Sequence, residues 1–185
     1  MRRVKPRLEP VIETGRLILR PIVEHDLDDL VDEVNDAGVA RMLARVPYPY
    51  GRTDAEEYLA LARHNADTGR SLYLVMERDG HLIGNIGIGA MPAVCEFGYW
   101  LGRARWGQGL ATEAGRAVLA YGFDVLGLPL VHSGYFTENV GSGRVQRKLG
   151  FRQVGRSWRR SLARGSEVAH IDTVLTPAHF RQSVR

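Results

Sequence analysis

The sequence predicts an α+β fold: a mainly antiparallel sheet with one parallel crossover. Three observations carry this. Two helix-patterned segments lie in the first third of the chain, and a run of extended segments joined by short connections follows. A single strand-helix-strand passage then brackets the pair Gly107 and Gly109. Extended segments joined by short turns pair antiparallel, whereas a strand-helix-strand passage returns parallel. A doubly wound sheet would need strands and helices to alternate throughout.

Taken in order, Arg16-Leu17-Ile18-Leu19-Arg20 alternates polar and apolar residues and reads as a strand ending at Pro21. From Glu24 to Val34, Leu27, Leu30, Val31 and Val34 recur at helical spacing. Val46 to Gly51 contains two prolines and breaks the pattern. Thr53, with Glu56 three residues on, reads as a capping box opening a second helix in which Tyr58, Leu59 and Ala62 share a face. Residues 71–77, 82–88 and 93–101 are extended, and Asp79-Gly80 turns the first onto the second. Leu110, Ala114, Ala117, Val118, Tyr121 and Val125 line one face of a helix that Gly127 and Pro129 stop. A strand over 130–137, a short helix over 140–149 closed by Gly150, and strands over 151–157 and 168–175 complete the pattern.

With 185 residues the chain fits one domain and can bury roughly 70% of its unfolded surface. No repeat, low-complexity tract or linker divides it, so residues 1–10 read as a basic, solvated tail and 11–185 as a single domain. The single cysteine, Cys95, excludes an internal disulfide, and the six histidines lack Cys or His partners at metal spacing, so no metal is expected. A reducing cytoplasm is the expected location. No stretch is long and apolar enough to cross a membrane.

The net charge of +4 favours an anionic partner, and its dispersal suits a phosphorylated small molecule as well as nucleic acid. Trp158 stands alone among Arg156, Arg159, Arg160 and Arg164, where a single-strand platform would interleave several aromatics. Nucleic acid is therefore not the expected partner; a solvated loop or an acidic-substrate contact fits that stretch.

Gly107-Gln108-Gly109 joins a strand's carboxyl end to a helix's amino end. Its N–H groups would converge on one point with the helix dipole behind them, and Arg103 and Arg105 add positive charge. Such a loop binds an anion, although a lone glycine pair serves equally as a plain tight turn. Thr112 stands where a dinucleotide fingerprint needs a third glycine, and no Gly-Lys-Ser/Thr is present for a Walker loop.

Four landmarks in order then carry a resemblance over nearly the whole chain. They are Glu13-Thr14-Gly15-Arg16-Leu17-Ile18-Leu19-Arg20, Glu96-Phe97-Gly98-Tyr99-Trp100-Leu101, Arg105-Trp106-Gly107-Gln108-Gly109-Leu110-Ala111-Thr112-Glu113, and Asn139-Val140-Gly141-Ser142 leading to Lys148-Leu149-Gly150-Phe151. With them the chain resembles the GNAT superfamily of acetyl-CoA-dependent N-acetyltransferases, and within it the branch that acetylates N-termini of ribosomal proteins.

The resemblance implies the acyl-CoA N-acyltransferase fold: a roughly seven-stranded mixed sheet, helices on both faces, and a V-shaped splay between the fourth and fifth strands. Phe97, Tyr99, Trp100 and Leu101 would present the free edge of the fourth strand to the pantetheine arm of acetyl-CoA. Tyr99 and Leu101 fall on one face of that strand, Glu96 and Trp100 on the other. Arg105, Trp106, Gly107, Gln108, Gly109, Leu110, Ala111 and Thr112 would hold the pyrophosphate. Asn139 and Ser142 match cofactor and thiol positions, though by themselves they read equally as a helix cap and a small packing residue. Lys148 either contacts cofactor or favours the helix dipole.

The implied reaction is direct attack of a primary amine, of a protein N-terminus or a small molecule, on the thioester. It needs a base for the ammonium, a donor for the departing thiolate and a donor for the thioester oxygen. A backbone N–H near Trp100 or Leu101 is the candidate for the oxygen. Where many members carry a late-helix tyrosine this chain has Gln146, which leaves Ser142 as the thiolate donor. The ribosomal branch has a downstream glutamate where this chain reads Arg159-Arg160-Ser161-Leu162-Ala163-Arg164. Glu96 is then the candidate base, with His132 on the fifth strand and Glu138 behind it; their plain readings are an arginine partner and a satisfied core histidine. A homodimer is compatible with exposed strand ends. A non-catalytic acyl-CoA-binding sensor on the same fold is the alternative, and a nucleic-acid module the third reading.

Overall fold

A computed structural model describes residues 8–184. The sheet has eight strands in the order β1-β2-β3-β4-β5-β6-β8-β7. They are β1 (Ile12–Glu13), β2 (Ile18–Arg20), β3 (Leu72–Arg78), β4 (His81–Gly89), β5 (Glu96–Leu101), β6 (Val131–Phe136), β7 (Arg152–Ser161) and β8 (Ser166–Leu175). The helices are α1 (Leu27–Val34), α2 (Ala37–Ala40), α3 (Arg52–Asp67), α4 (Leu110–Ala120), α5 (Val140–Lys148) and α6 (Pro177–Ser183). Every neighbouring pair of strands is antiparallel except β5 with β6.

The count exceeds the expected seven or so because β1, only two residues long, pairs Ile12 with Leu19 of β2. Two residues are too few to show alternation. Of the segment read as a tail, residues 1–7 lie outside the described residues, while Leu8 is buried in the core.

Two apolar layers cover the sheet, and strand periodicity deals residues between them. In β3, Leu72, Leu74 and Met76 join the layer under α4, which contributes Leu110, Ala114 and Val118; Val75 joins the layer under α1 and α3. In β5, Phe97, Tyr99 and Leu101 face the first layer and Trp100 the second. Helices thus lie on both faces, and each large apolar side chain buried there stabilises by about 1.5–3 kcal/mol.

Local corrections have local causes. The second helix starts at Arg52, with Asp54 Oδ2 accepting from Gly51 N at 2.8 Å; the expected Thr53/Glu56 box does not form, and Glu56 instead accepts from Arg52 Nε at 3.0 Å. Helix α6 has no counterpart in the sequence reading. Thr176 caps it, its hydroxyl accepting from His179 N at 3.3 Å ahead of Pro177.

The feature that positions the site is the separation of β5 from β6. They meet at one parallel bridge, Glu96 with His132, where His132 N donates to Cys95 O at 2.7 Å. Beyond it the Ser133 hydroxyl donates to Phe97 O at 2.9 Å, and β6 pairs onward with β8 from Val131/Leu175 to Phe136/His170. The fourth and fifth strands of the sequence reading are therefore β5 and β6, and a wedge opens between them.

Candidate active site

Strand β5 ends at Leu101 and the chain turns through a short 3-10 segment, Arg103–Arg105, into the glycine pair. Gly107 and Gly109 take φ of +74° and +79°, in the left-handed region that costs other residues roughly 1–2 kcal/mol. Among the described residues, the N–H groups of 107–111 have no protein hydrogen-bond acceptor, whereas Thr112 N donates to Gly109 O at 3.1 Å. The acceptor-free amides are thus those of Gly107, Gln108, Gly109, Leu110 and Ala111. The Thr112 N–H belongs to the first turn of α4, and the side chains of Leu110 and Ala111 point into the core.

The loop is braced from behind. Glu113 accepts from Thr14 Oγ1 at 2.7 Å, Arg16 N at 2.8 Å and Arg16 Nε at 2.7 Å, while Arg16 Nη1 donates to Gln108 O at 2.9 Å. Burial alone would raise the Glu113 pKa; the hydrogen bonds from Thr14 and Arg16 outweigh it and hold the carboxyl below its usual value. Gln108 Nε2 closes the loop onto Ala104 O at 3.0 Å, and Arg78 donates to Gln108 Oε1 at 3.1 Å. Arg105 lies 3.9 Å from Glu33 and Arg103 3.7 Å from Asp36, so part of the positive charge expected here is offset.

Along the open edge of β5, the carbonyls of Cys95, Phe97 and Leu101 all point to the β6 side. They accept from His132 N, Ser133 Oγ and Trp106 Nε1, the last at 2.8 Å. N–H and C=O of one strand residue share an edge, so the N–H groups of Tyr99 and Leu101 face the wedge and that of Trp100 faces β4. Of the two N–H groups named from sequence, that of Leu101 thus lies on the open edge and that of Trp100 does not.

On the α4 face, Ser142 in the first turn of α5 accepts from Tyr99 Oη at 3.1 Å. Burial pushes the Tyr99 pKa up to about 12, which keeps it a donor. Asn139 caps α5, its Oδ1 accepting from Ser142 N at 3.0 Å, and Lys148 is exposed in the last turn. Gln146 is 2% exposed, and its side chain is engaged by buried partners. Its Nε2 donates to Ser133 Oγ at 3.0 Å and Gly134 O at 2.9 Å, and its Oε1 accepts from Thr173 Oγ1 at 2.6 Å. It ties α5 to β6 and β8 and, through Ser133, to β5 at the apex of the wedge.

On the opposite face, Glu96 and His132 stand side by side at the bridge. Glu96 is ion-paired with Arg45 at 2.6 Å, and Glu138 with Arg164 and Arg41. His132 is exposed rather than a core residue. Glu96, His132, Arg159 and Asp172 line a recess of about 230 Å³. The stretch from Arg159 is not a free loop: Arg159 to Ser161 end β7, and Leu162 N and Arg164 Nε donate to Ala44 O and Arg41 O at 3.0 and 2.8 Å. Among the described residues no grouping of His, Cys, Asp and Glu could hold a metal ion, and no helix is long and apolar enough to cross a membrane.

Sequence reasoning did not single out Arg45, Arg78, His170 or Asp172. His170 and Asp172, two apart on a strand, carried a readable signal; the arginines carried none, being brought in by tertiary contacts.

Comparison with known proteins matches this arrangement to one family. The acetyltransferase (GNAT) domain matches residues 16–152. YoaA, an uncharacterized N-acetyltransferase of Bacillus subtilis (strain 168), is 32% identical over 158 residues, covering 79% of this chain and 85% of that protein. Mycobacterium smegmatis RimJ, solved in complex with CoA-disulfide, superposes with a TM-score of 0.78 at 24% identity, covering 89% of this chain and 87% of that one. The ribosomal-protein-S5-alanine acetyltransferase of Vibrio fischeri superposes with a TM-score of 0.80 at 18% identity, covering 93% and 99%. With an amide-lined loop after an open strand edge, and a family match across most of its length, the chain belongs to the GNAT family of acetyltransferases.

Proposed function

We propose that this protein transfers the acetyl group of acetyl-CoA to a primary amine, of a protein N-terminus or a small molecule, by direct attack within a ternary complex. The observation that carries the reading is the row of acceptor-free N–H groups over 107–111, continuous with the open β5 edge. Peptide donors at a helix N-terminus suit a pyrophosphate, and an open strand edge suits the amide-bearing pantetheine arm. The fit is also steric: a Cβ at Gly107 or Gly98 meets no atom within 4 Å.

The chain's residues then divide the work. Leu101 and Tyr99 offer N–H groups to the thioester oxygen, and Ser142, backed by Tyr99, offers a hydroxyl to the departing sulfur. Gln146 takes no part in proton transfer and fixes α5 to the apex of the wedge. The acceptor enters from the face bearing Glu96 and His132, because α4 and α5 cover the other.

Calorimetric titration with acetyl-CoA, followed by an amine panel assayed for released thiol, tests the reading. Binding in the micromolar range and thiol release that depends on an amine are expected. Absence of binding well above that range refutes it, and binding without turnover across the panel favours the sensor.

A further inference from the structure

Ser157 of β7, Asp172 and His170 of β8 form a chain on the acceptor face that neither the loop nor the β5 edge uses. Ser157 Oγ donates to Asp172 Oδ1 at 3.0 Å, and the same oxygen lies 3.0 Å from His170 Nδ1. An ionised Asp172 in that position selects the tautomer with hydrogen on Nδ1 and leaves a lone pair on Nε2. Nε2 has no hydrogen-bond partner among the described residues, yet it is not one of the sealed, unpartnered atoms.

The ring is set at the wedge. A Cβ built on Gly134 of β6 would lie 2.1 Å from His170 Cε1 and 2.7 Å from Nε2, so only the absent side chain lets the imidazole lie across the strand. Gly134 is two residues past the Glu96–His132 bridge on β6, and Gly98 two residues past it on β5. Both strands therefore present glycine to the same face of the wedge at the same level, and the imidazole borders the opening. Phe136 braces the ring edge-on, 6.0 Å between centroids.

The other candidates lack this setting. Glu96 is tied to Arg45, and among the described residues no carboxylate pairs with His132 to orient it. The charged groups acting on His170 are Asp172 on its own strand, Arg159 on β7 and Glu96 on β5, itself paired with Arg45; Arg164 lies beyond, over the Phe136 ring. Burial, aided by Arg159, lowers the imidazole pKa below 6.5 and outweighs the opposing effects of Asp172 and Glu96. The ring is neutral at pH 7.

We propose that His170, oriented by Asp172, is the proton acceptor for the amine. This rests on the acetyl-transfer reading above. An ammonium R–NH3+ gives one proton to Nε2, leaving R–NH2 and an imidazolium. The amine lone pair forms the C–N bond to the thioester carbon and the C–S bond breaks. The second nitrogen proton ends on the thiolate, through the Ser142 side, giving amide and free thiol; the imidazolium then returns its proton to solvent.

The test is the His170→Gln variant of the full chain, with acetyl-CoA and a panel of N-terminal tripeptides and aliphatic primary amines. Expected is a fall in kcat of about 100-fold or more, in the range for loss of a general base, with acetyl-CoA Kd within twofold of the parent. The parent's kcat should fall on an acid limb below pH 6.5 that the variant lacks, and added imidazole should restore turnover to His170→Ala. A His170→Gln enzyme within threefold of the parent and with the same acid limb overturns the role of His170 alone. A parallel loss of acetyl-CoA binding and turnover also overturns it, showing a structural residue. A parent that turns over no amine overturns the acetyl-transfer reading and this role with it.

Discussion

Tyr99 donates to the Ser142 hydroxyl across 3.1 Å, joining the middle of the open strand to the first turn of α5. With its oxygen already accepting, the serine's own hydrogen is free to point at a thiolate. Ser142→Ala is expected to lower kcat about tenfold, or roughly 1.4 kcal/mol, and Tyr99→Phe by less. Combined, they should cost little more than Ser142→Ala alone, because one acts through the other. Steady-state kinetics on the four proteins check this; a Ser142→Ala enzyme at the parental rate would remove the serine from the chemistry.

The cradle depends on a left-handed residue at 109. Gly109→Ala meets a neighbour only at 3.6 Å, Arg16 Nη2, so its cost is backbone strain of about 1–2 kcal/mol. Relief of that strain would turn the amides out of the cradle. The expected result is a modestly lower Tm and an acetyl-CoA Kd raised at least ~10-fold, read by thermal denaturation and calorimetry.

Glu113 links the start of the chain to the loop, and its depressed pKa makes that link pH-dependent. A carboxyl whose folded pKa lies below its unfolded value binds protons more weakly when folded. Its stabilisation is therefore complete above the ordinary value of 4.5 and is lost as pH falls through the folded value. Glu113→Gln should lower stability at pH 7 by about 1–2 kcal/mol and flatten its decline below pH 4.5. Urea denaturation at pH 7 and at pH 3.5 measures both.

Gln146 occupies the position where many members of the superfamily carry a tyrosine, and its buried bonds tie α5 to β6 and β8. Gln146→Ala should cost about 2–3 kcal/mol, since Ser133 and Thr173 lose a buried partner. Gln146→Tyr should not raise kcat and should destabilise by overpacking. A more active tyrosine variant would show that this position faces the thiol after all.

Most of the fold was legible because its signals are local. Alternation over residues 16–20, the Asp79-Gly80 turn between extended runs, the helical stripe through Leu110, Ala114 and Val118, and the glycine that ends α5 are properties of neighbouring residues. The loop at Gly107 and Gly109 was legible for the same reason: a strand, two residues at positive φ and a helix start specify a row of free amides within one stretch of chain. β1 and α2 were too short to show a period, and α6 showed its cap, Thr176-Pro177, without a long stripe behind it.

The partners on the acceptor face were not legible. Arg45 reaches Glu96 from 51 residues away and turns a candidate base into half of an ion pair. Gln146 becomes a strut only because β6 and β8 bring Ser133 and Thr173 to it, and His170 reaches the wedge only because Gly134 lies beneath its ring. By itself the sequence determined the family, through four motifs in order, and the α+β succession of strands and helices around a glycine loop, since motif, periodicity and backbone freedom are each properties of a few consecutive residues. The tertiary structure alone decided which carboxylates are held in ion pairs and which imidazole a carboxylate orients, because a side chain's partners depend on strands and loops that the chain order leaves far apart.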